Sequence, residues 1–178
     1  MLFRSRSGKY IPMITKMLRE EGMPLDLVYM VPAESNFNVL SRSNKSAVGL
    51  WQFIASTGRI YGLKINRWID ERRDPVLSTK AAITYLKHLY GLFGDWELAM
   101  AAYNTGEGRV KRAIRLAKRK GRKQNFSSLR LPSETRSYVP AIMAMAVIYK
   151  NKQRYGFGHV RPVEPMDETK ARLSVAFS

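Results

Sequence analysis

Residues 78–93 read Ser-Thr-Lys-Ala-Ala-Ile-Thr-Tyr-Leu-Lys-His-Leu-Tyr-Gly-Leu-Phe, and their spacing decides the fold class. Ala82, Leu86, Leu89 and Phe93 recur three and four residues apart, which places them on one face of a helix. Ser78 suits an N-cap, because its hydroxyl can accept from a free N–H of the first turn. The same period repeats on both sides of this stretch. Upstream, Ile11, Ile14 and Leu18 predict a helix with Pro12 near its start and Gly22 placed to end it. Pro24 can open a second helix running through Leu27, Val28 and Val31 to Glu34, with Pro32 distorting its last turn. Residues 35–46, rich in Asn and Ser, read as a loop, and a helix is expected from Gly49 to Tyr61. Downstream, residues 96–103, 109–120 and 133–150 read as three more helices, the last with Tyr138, Ile142, Met145 and Tyr149 along one side. No stretch alternates with period two for long enough to argue a strand. The expectation is an all-α fold: one domain over residues 1–156, with 157–178, which carry Pro162 and Pro165, as a tail or linker.

Composition narrows the function. The 178 residues suffice for one hydrophobic core, and 45% apolar with 25% charged residues is ordinary for a globular chain. No apolar run approaches the roughly 20 residues a spanning helix needs. Met1 to Gly8 lack the apolar stretch of a signal peptide, so no export signal is legible here. With no cysteine, thiolate metal sites are excluded, and His88 and His159 stand too far apart to form a ligand pair. Structural or solvent-facing roles are expected for both histidines, and neither a metal nor a cofactor is expected.

The net charge of +17 favours polyanionic partners: nucleic acid, anionic lipid or an acidic wall polymer. Ten of the cations lie between Arg109 and Arg130, with no acid among them. A solvated helix face and a docking patch for an anionic polymer both fit that run. No zinc-finger, helix-turn-helix or RNA-binding signature accompanies it, so nucleic acid is not the expected partner.

Glu34 closes the apolar run Leu27-Val28-Tyr29-Met30-Val31-Pro32-Ala33. A carboxyl group against an apolar wall is desolvated, which disfavours its charged form and raises its pKa, as a general acid near neutral pH requires. A surface glutamate at a helix end fits these residues alone as well. Between Glu34 and Asp70 the chain has no Asp or Glu. Glycosidases usually employ two carboxyl groups, so the stretch after Glu34 is a poor source of a second. Asp70, Glu71, Asp74, Asp95, Glu97, Glu107 and Glu134 remain for that role, although Asp95 and Glu107 also suit capping and helix-start positions.

Several ordered motifs carry a resemblance. Ala33-Glu34-Ser35, Gly49-Leu50-Trp51-Gln52-Phe53 and Ala102-Tyr103-Asn104-Thr105-Gly106 resemble the motif set of soluble-type lytic transglycosylases, which share a helical fold with goose-type lysozyme. Residues 49–59, Asp70-Glu71-Arg72-Arg73-Asp74-Pro75, residues 93–98 and Glu134-Thr135-Arg136-Ser137-Tyr138-Val139-Pro140 extend the likeness over residues 8–150. This wider match is closest to the membrane-bound D type of murein transglycosylase. The resemblance implies that Glu34 is the catalytic acid/base, that Ser43 approaches the sugar near the reacting centre and that Gln52 lines the cleft. It also implies that Tyr103 and Asn104 hold the catalytic carboxyl group and the substrate, and that Tyr138 forms the far wall. Trp51 can be packing or a sugar-stacking ring, and Ser35 shapes the helix end.

The activity so implied is cleavage of the β-1,4 bond between N-acetylmuramic acid and N-acetylglucosamine, leaving 1,6-anhydromuramoyl ends. Two alternatives stand beside it. One is a lysozyme-type hydrolase on the same bond, including one preferring deacetylated wall; the other is a non-catalytic polyanion-binding module. The expected partners are peptidoglycan glycan strands and an anionic cell-wall polymer. A monomer in the periplasm or cell envelope, or secreted, is expected.

Overall fold

The computed structural model describes residues 2–156, so the tail expected over 157–178 lies outside the described residues. Seven α-helices follow in order: α1 Leu2–Glu20, α2 Met30–Ser35, α3 Ala55–Ile60, α4 Pro75–Phe93, α5 Trp96–Thr105, α6 Glu107–Arg119 and α7 Ser133–Lys150. Short 3-10 turns at Leu25–Tyr29, Glu71–Arg73 and Phe126–Ser128 join them. Among the described residues there is no strand, only isolated bridges such as Val48 with Phe53, so the all-α expectation holds.

The centre is α5. Its run Leu98-Ala99-Met100-Ala101-Ala102 is buried on every side, and three alanines in five residues let neighbouring helices approach its backbone closely. It packs against α4, α6 and α7, and α1 closes over α4 from the far side. Leu86 and Leu89 of α4, Ile14 and Leu18 of α1, and Val139 and Ile142 of α7 converge in one core. Burying each such side chain contributes about 1.5–3 kcal/mol, less the entropy of fixing it.

Several boundaries differ from the sequence expectation, each for a local reason. The fourth helix starts at Pro75, not after Ser78, because Asp74 is the better cap: its Oδ1 accepts from Val76 N at 2.8 Å and Leu77 N at 2.7 Å. Removing such a cap costs about 1 kcal/mol. Ser78 is buried, and its hydroxyl donates back to the Asp74 carbonyl at 2.5 Å. Pro12 lies well inside α1 instead of near its start. The N–H it lacks would have reached the carbonyl of Gly8, where the missing Cβ eases the proline ring past. The helix expected from Pro24 to Glu34 is two pieces, and the change falls at Tyr29–Met30 and not at Pro32. Pro32 occupies the first turn of α2, where the missing N–H has no intrahelical partner to lose.

The helix expected from Gly49 is shorter than the sequence suggests. Residues 49–53 form a turn, and α3 begins only at Ala55. Gly49 requires its lack of a side chain: φ is +85°, and a Cβ there would meet the Arg72 carbonyl oxygen at 1.8 Å. The last helix occupies the residues expected of it, Ser133–Lys150.

Candidate active site

Glu34 lies one residue from the end of α2, where the chain turns sharply. Asn36 (φ 53°) and Phe37 (φ 57°) both adopt left-handed backbone, and the buried Phe37 ring anchors the turn in the core. Every described non-glycine residue with positive φ falls in 36–52: these two, Ser46 and Gln52. Such conformations cost of order 1 kcal/mol each and persist only where surrounding contacts enforce them.

Those contacts are visible. The Ser35 hydroxyl donates to the Leu50 carbonyl at 2.8 Å, tying the helix end to the loop as its expected shaping role requires. Trp51 is fully buried, and its Nε1 donates to Thr79 Oγ1 at 2.9 Å. A buried indole cannot stack on a sugar, so of the two readings of Trp51 packing is the one realised. The Tyr103 hydroxyl donates to the Trp51 carbonyl at 2.8 Å.

Beneath the loop, Arg72 acts as a clamp. It pairs with both Asp70 oxygens at 2.8 Å and donates to the carbonyls of Ser46 at 3.0 Å and Phe53 at 3.1 Å. The Arg72 hydrogen bonds hold the Asp70 carboxyl below the usual carboxylate range. This clamp was not singled out by spacing; a buried arginine two residues from an aspartate leaves no periodic signature.

Over the loop stands the Glu34 carboxyl, half-buried. Burial pushes its pKa up to about 7; the Tyr138 hydroxyl, donating to Oε1 at 2.5 Å, pulls the other way, and the Glu134 charge adds to the rise. The net result is a carboxyl group that holds its proton near neutrality yet ionises readily. Burial also pushes the Tyr103 and Tyr138 hydroxyls well above the usual phenol range, with the Glu34 charge contributing to both, so both stay neutral donors.

The six residues singled out by resemblance divide accordingly. Glu34 and Tyr138 are in direct contact, and Tyr103 is within electrostatic reach of both. Tyr138 thus grips the carboxyl group, the part the resemblance gave to Tyr103 and Asn104. The Asn104 Oδ1 accepts from the buried Thr135 hydroxyl at 2.8 Å, which joins α5 to α7. Thr135 belongs to a quoted motif, yet nothing in its type or spacing marked it as the partner of Asn104.

Gln52, at φ 48°, folds its amide back so that Nε2 donates to Gly49 O at 2.8 Å and Ser41 O at 3.3 Å. Ser43 is exposed, and its hydroxyl accepts from Ala47 N at 3.1 Å across the loop tip. A file of rings continues from Tyr103, through Tyr85 at 5.2 Å, to Tyr61 a further 4.6 Å on.

Most of the other candidate acids are occupied elsewhere. Asp95 caps α5 through Leu98 N at 2.9 Å, and Glu71 accepts from Lys64 N at 2.6 Å. Glu107 pairs with Lys111 at 2.8 Å and with the solvent-facing His88 at 3.1 Å. Among the described residues Glu134 is the acid whose charge adds to the rise at Glu34, and it is exposed. Among the described residues no three of His, Cys, Asp or Glu cluster as a metal site would require.

Tyr138→Phe should sharpen this picture. Losing a donor to the ionised carboxylate raises the Glu34 pKa further. The alkaline limb of any Glu34-dependent activity should move up by about half a unit to one unit. A pH–rate profile of that variant with an unmoved or lowered limb would contradict the assignment of Tyr138 as the donor.

The all-helical domain, with one half-buried, high-pKa carboxyl group over a strained loop, has a lysozyme-like fold. The sequence pattern of the transglycosylase SLT domain matches residues 12–126, and the chain belongs to that family. It is 44% identical over 174 residues to the membrane-bound lytic murein transglycosylase D of Escherichia coli, covering 97% of this chain. The D-type likeness read from the motifs holds. The chain spans 38% of that relative's length. It is also 31% identical to the peptidoglycan transglycosylase gp16 of Escherichia phage T7, over 86% of this chain and 12% of that one. The 70 kDa soluble lytic transglycosylase of E. coli superposes with a TM-score of 0.61 at 25% identity, over 83% of this chain and 24% of that one.

Proposed function

We propose that this domain cleaves peptidoglycan by lytic transglycosylation at the bond between N-acetylmuramic acid and N-acetylglucosamine. The observation that carries the reading is the Glu34 carboxyl, half-buried, raised to about 7 and held by the Tyr138 hydroxyl at 2.5 Å. A group titrating there can give a proton and take one back within a cycle. Protonated Glu34 donates to the glycosidic oxygen as the bond breaks. The substrate's own N-acetyl oxygen stabilises the developing positive charge, which removes the need for a protein nucleophile. Ionised Glu34 then accepts the proton of the muramoyl O6 hydroxyl as that oxygen attacks C1 and closes the anhydro ring. Tyr138 stabilises the carboxylate between the two transfers, and Tyr103 fixes the loop below it. In this reading Ser43, Gln52 and Asn104 present polar atoms to the sugars. Peptidoglycan lies outside the cytoplasmic membrane, which places the protein in the cell envelope; among the described residues no helix is long and apolar enough to cross a membrane.

One observation favours hydrolysis instead: Glu134 lies close enough to bear on Glu34 electrostatically and could orient a water in place of O6. Mass spectrometry of digested sacculi separates the two. Anhydromuramoyl ends are expected; reducing ends alone would overturn the transglycosylase assignment.

A further inference from the structure

We propose that the outward face of α6 and the loop after it form a docking strip for the carboxylate-bearing polymer of the wall, separate from the candidate site at Glu34. The identity of that polymer rests on the function proposed above; the strip rests on charge and placement.

The helix buries only Val110, Ala113 and Ala117, spaced three and four apart against α5. Arg112, Arg115, Lys118 and Arg119 occupy the exposed arc, and Arg122 and Lys123 continue it beyond Gly121. Among the described residues none of these six has an ion pair; Lys111 alone on the helix has one, to Glu107 at 2.8 Å. Elsewhere the exposed cations are scattered, some facing acids, as Lys87 does Glu21 at 2.5 Å and Lys150 does Asp26 at 2.6 Å, and others, such as Lys64 and Lys80, standing singly. Among the described residues only along α6 do unpaired cations follow one another on one face. Cations three and four apart with no interleaved acid repel one another and weaken a helix. A surface needing only solubility would mix the signs. An anion laid along the strip relieves that repulsion.

The chemistry of the strip narrows the occupant. The apolar side of α6 is already spent on the core, so nothing remains to insert into a bilayer. Leu116 is the one apolar side chain on the exposed arc, and no aromatic ring stands there for bases to stack on. Only charge is on offer. The strip is also continuous with the candidate site: α6 starts at Glu107, three residues past Asn104, and Arg109 donates to Thr105 Oγ1 at 3.4 Å. A polymer engaged at Glu34, with carboxylates repeated along its peptide stems, presents the complementary charge beside the site.

Co-sedimentation with purified sacculi tests this, in a Glu34→Gln background so that the sacculi stay intact. The fourfold variant Arg112→Gln, Arg115→Gln, Lys118→Gln, Arg119→Gln is compared with a control losing the same charge through Arg19→Gln, Lys64→Gln, Lys80→Gln and Arg154→Gln. At about twofold per exposed cation, the α6 variant should bind about fifteenfold more weakly, with a shallower salt dependence than the parent. The control should change about twofold or less. Arg115→Glu alone, a gentler change, should weaken binding several-fold. Unchanged sacculus binding by the α6 variant would overturn the proposal, as would equal losses in both fourfold variants. Lost binding to duplex DNA or to anionic lipid vesicles with sacculus binding retained would overturn it too. With Glu34 intact, the α6 variant should cleave soluble glycan fragments lacking peptide stems at the parental rate. Absence of cleavage by the parent protein would strike at the proposed function and leave the binding result standing.

Discussion

Glu34→Gln is expected to lower glycan cleavage by about a thousandfold while leaving the fold intact, the range a positioned general acid supplies. Glutamine keeps the size of the side chain and can still accept from the Tyr138 hydroxyl, but it has no proton to give. Parental activity should fall as pH rises through about 7, where Glu34 ionises. The variant's residue of activity should show no such limb.

Stability moves in the opposite direction. Unfolded, Glu34 titrates near 4.5; folded, near 7. The folded state therefore disfavours the ionised form. The cost is absent below about pH 4.5, grows as pH rises towards 7 and is complete above it. Allowing for the partial exposure of the side chain, it amounts to about 2 kcal/mol. Thermal melts should show Glu34→Gln more stable than the parent at pH 8 by several degrees, with the two alike near pH 4. A variant that cleaves sacculi at the parental rate would remove Glu34 from the mechanism, and one less stable at pH 8 would show that its carboxyl is not strained by burial.

Gly49→Ala should be the most damaging small substitution in the loop, at about 3 kcal/mol or more. Two costs add. The backbone sits at φ +85°, where an L-residue is strained, and the new methyl would lie 1.8 Å from the Arg72 carbonyl oxygen. That oxygen cannot retreat easily, because the Arg72 side chain is fixed to Asp70 and to two carbonyls of the loop. Movement of Gly49 also displaces Gln52, whose amide donates to the Gly49 carbonyl at 2.8 Å. A fall in Tm of roughly 10 °C with reduced cleavage is expected. Gly22→Ala makes the control: φ is +64°, and nothing lies within 4 Å of the added carbon, so only about 1 kcal/mol should be lost. Equal effects from the two would show that the close approach at Gly49 is relieved without cost.

Much of the fold was legible in one dimension. Apolar residues three and four apart in 82–93 and 138–149 mark helices because burying one face is what makes a helix stable in a protein. Boundaries were less legible. Ser78 and Asp74 are both good caps by residue type, and the choice between them depended on which one the core buried. The sequence predicts a helix beginning at Gly49, whereas the Arg72 clamp makes residues 49–53 a turn. A contact from twenty residues downstream leaves no trace in local periodicity.

The sequence by itself determined that the chain is helical, strongly basic, and furnished with one acid at the end of an apolar run. Side-chain type and spacing act locally, so they can be read in order along the chain. Only the tertiary structure decided what Glu34 is able to do. Its high pKa comes from burial and from the charge of Glu134, and is held in check by the Tyr138 hydroxyl more than a hundred residues away; none of these is a local feature of the chain around Glu34. Desolvation and hydrogen bonding act through space, and the fold that brings α2 against α7 is what makes them act on one carboxyl group.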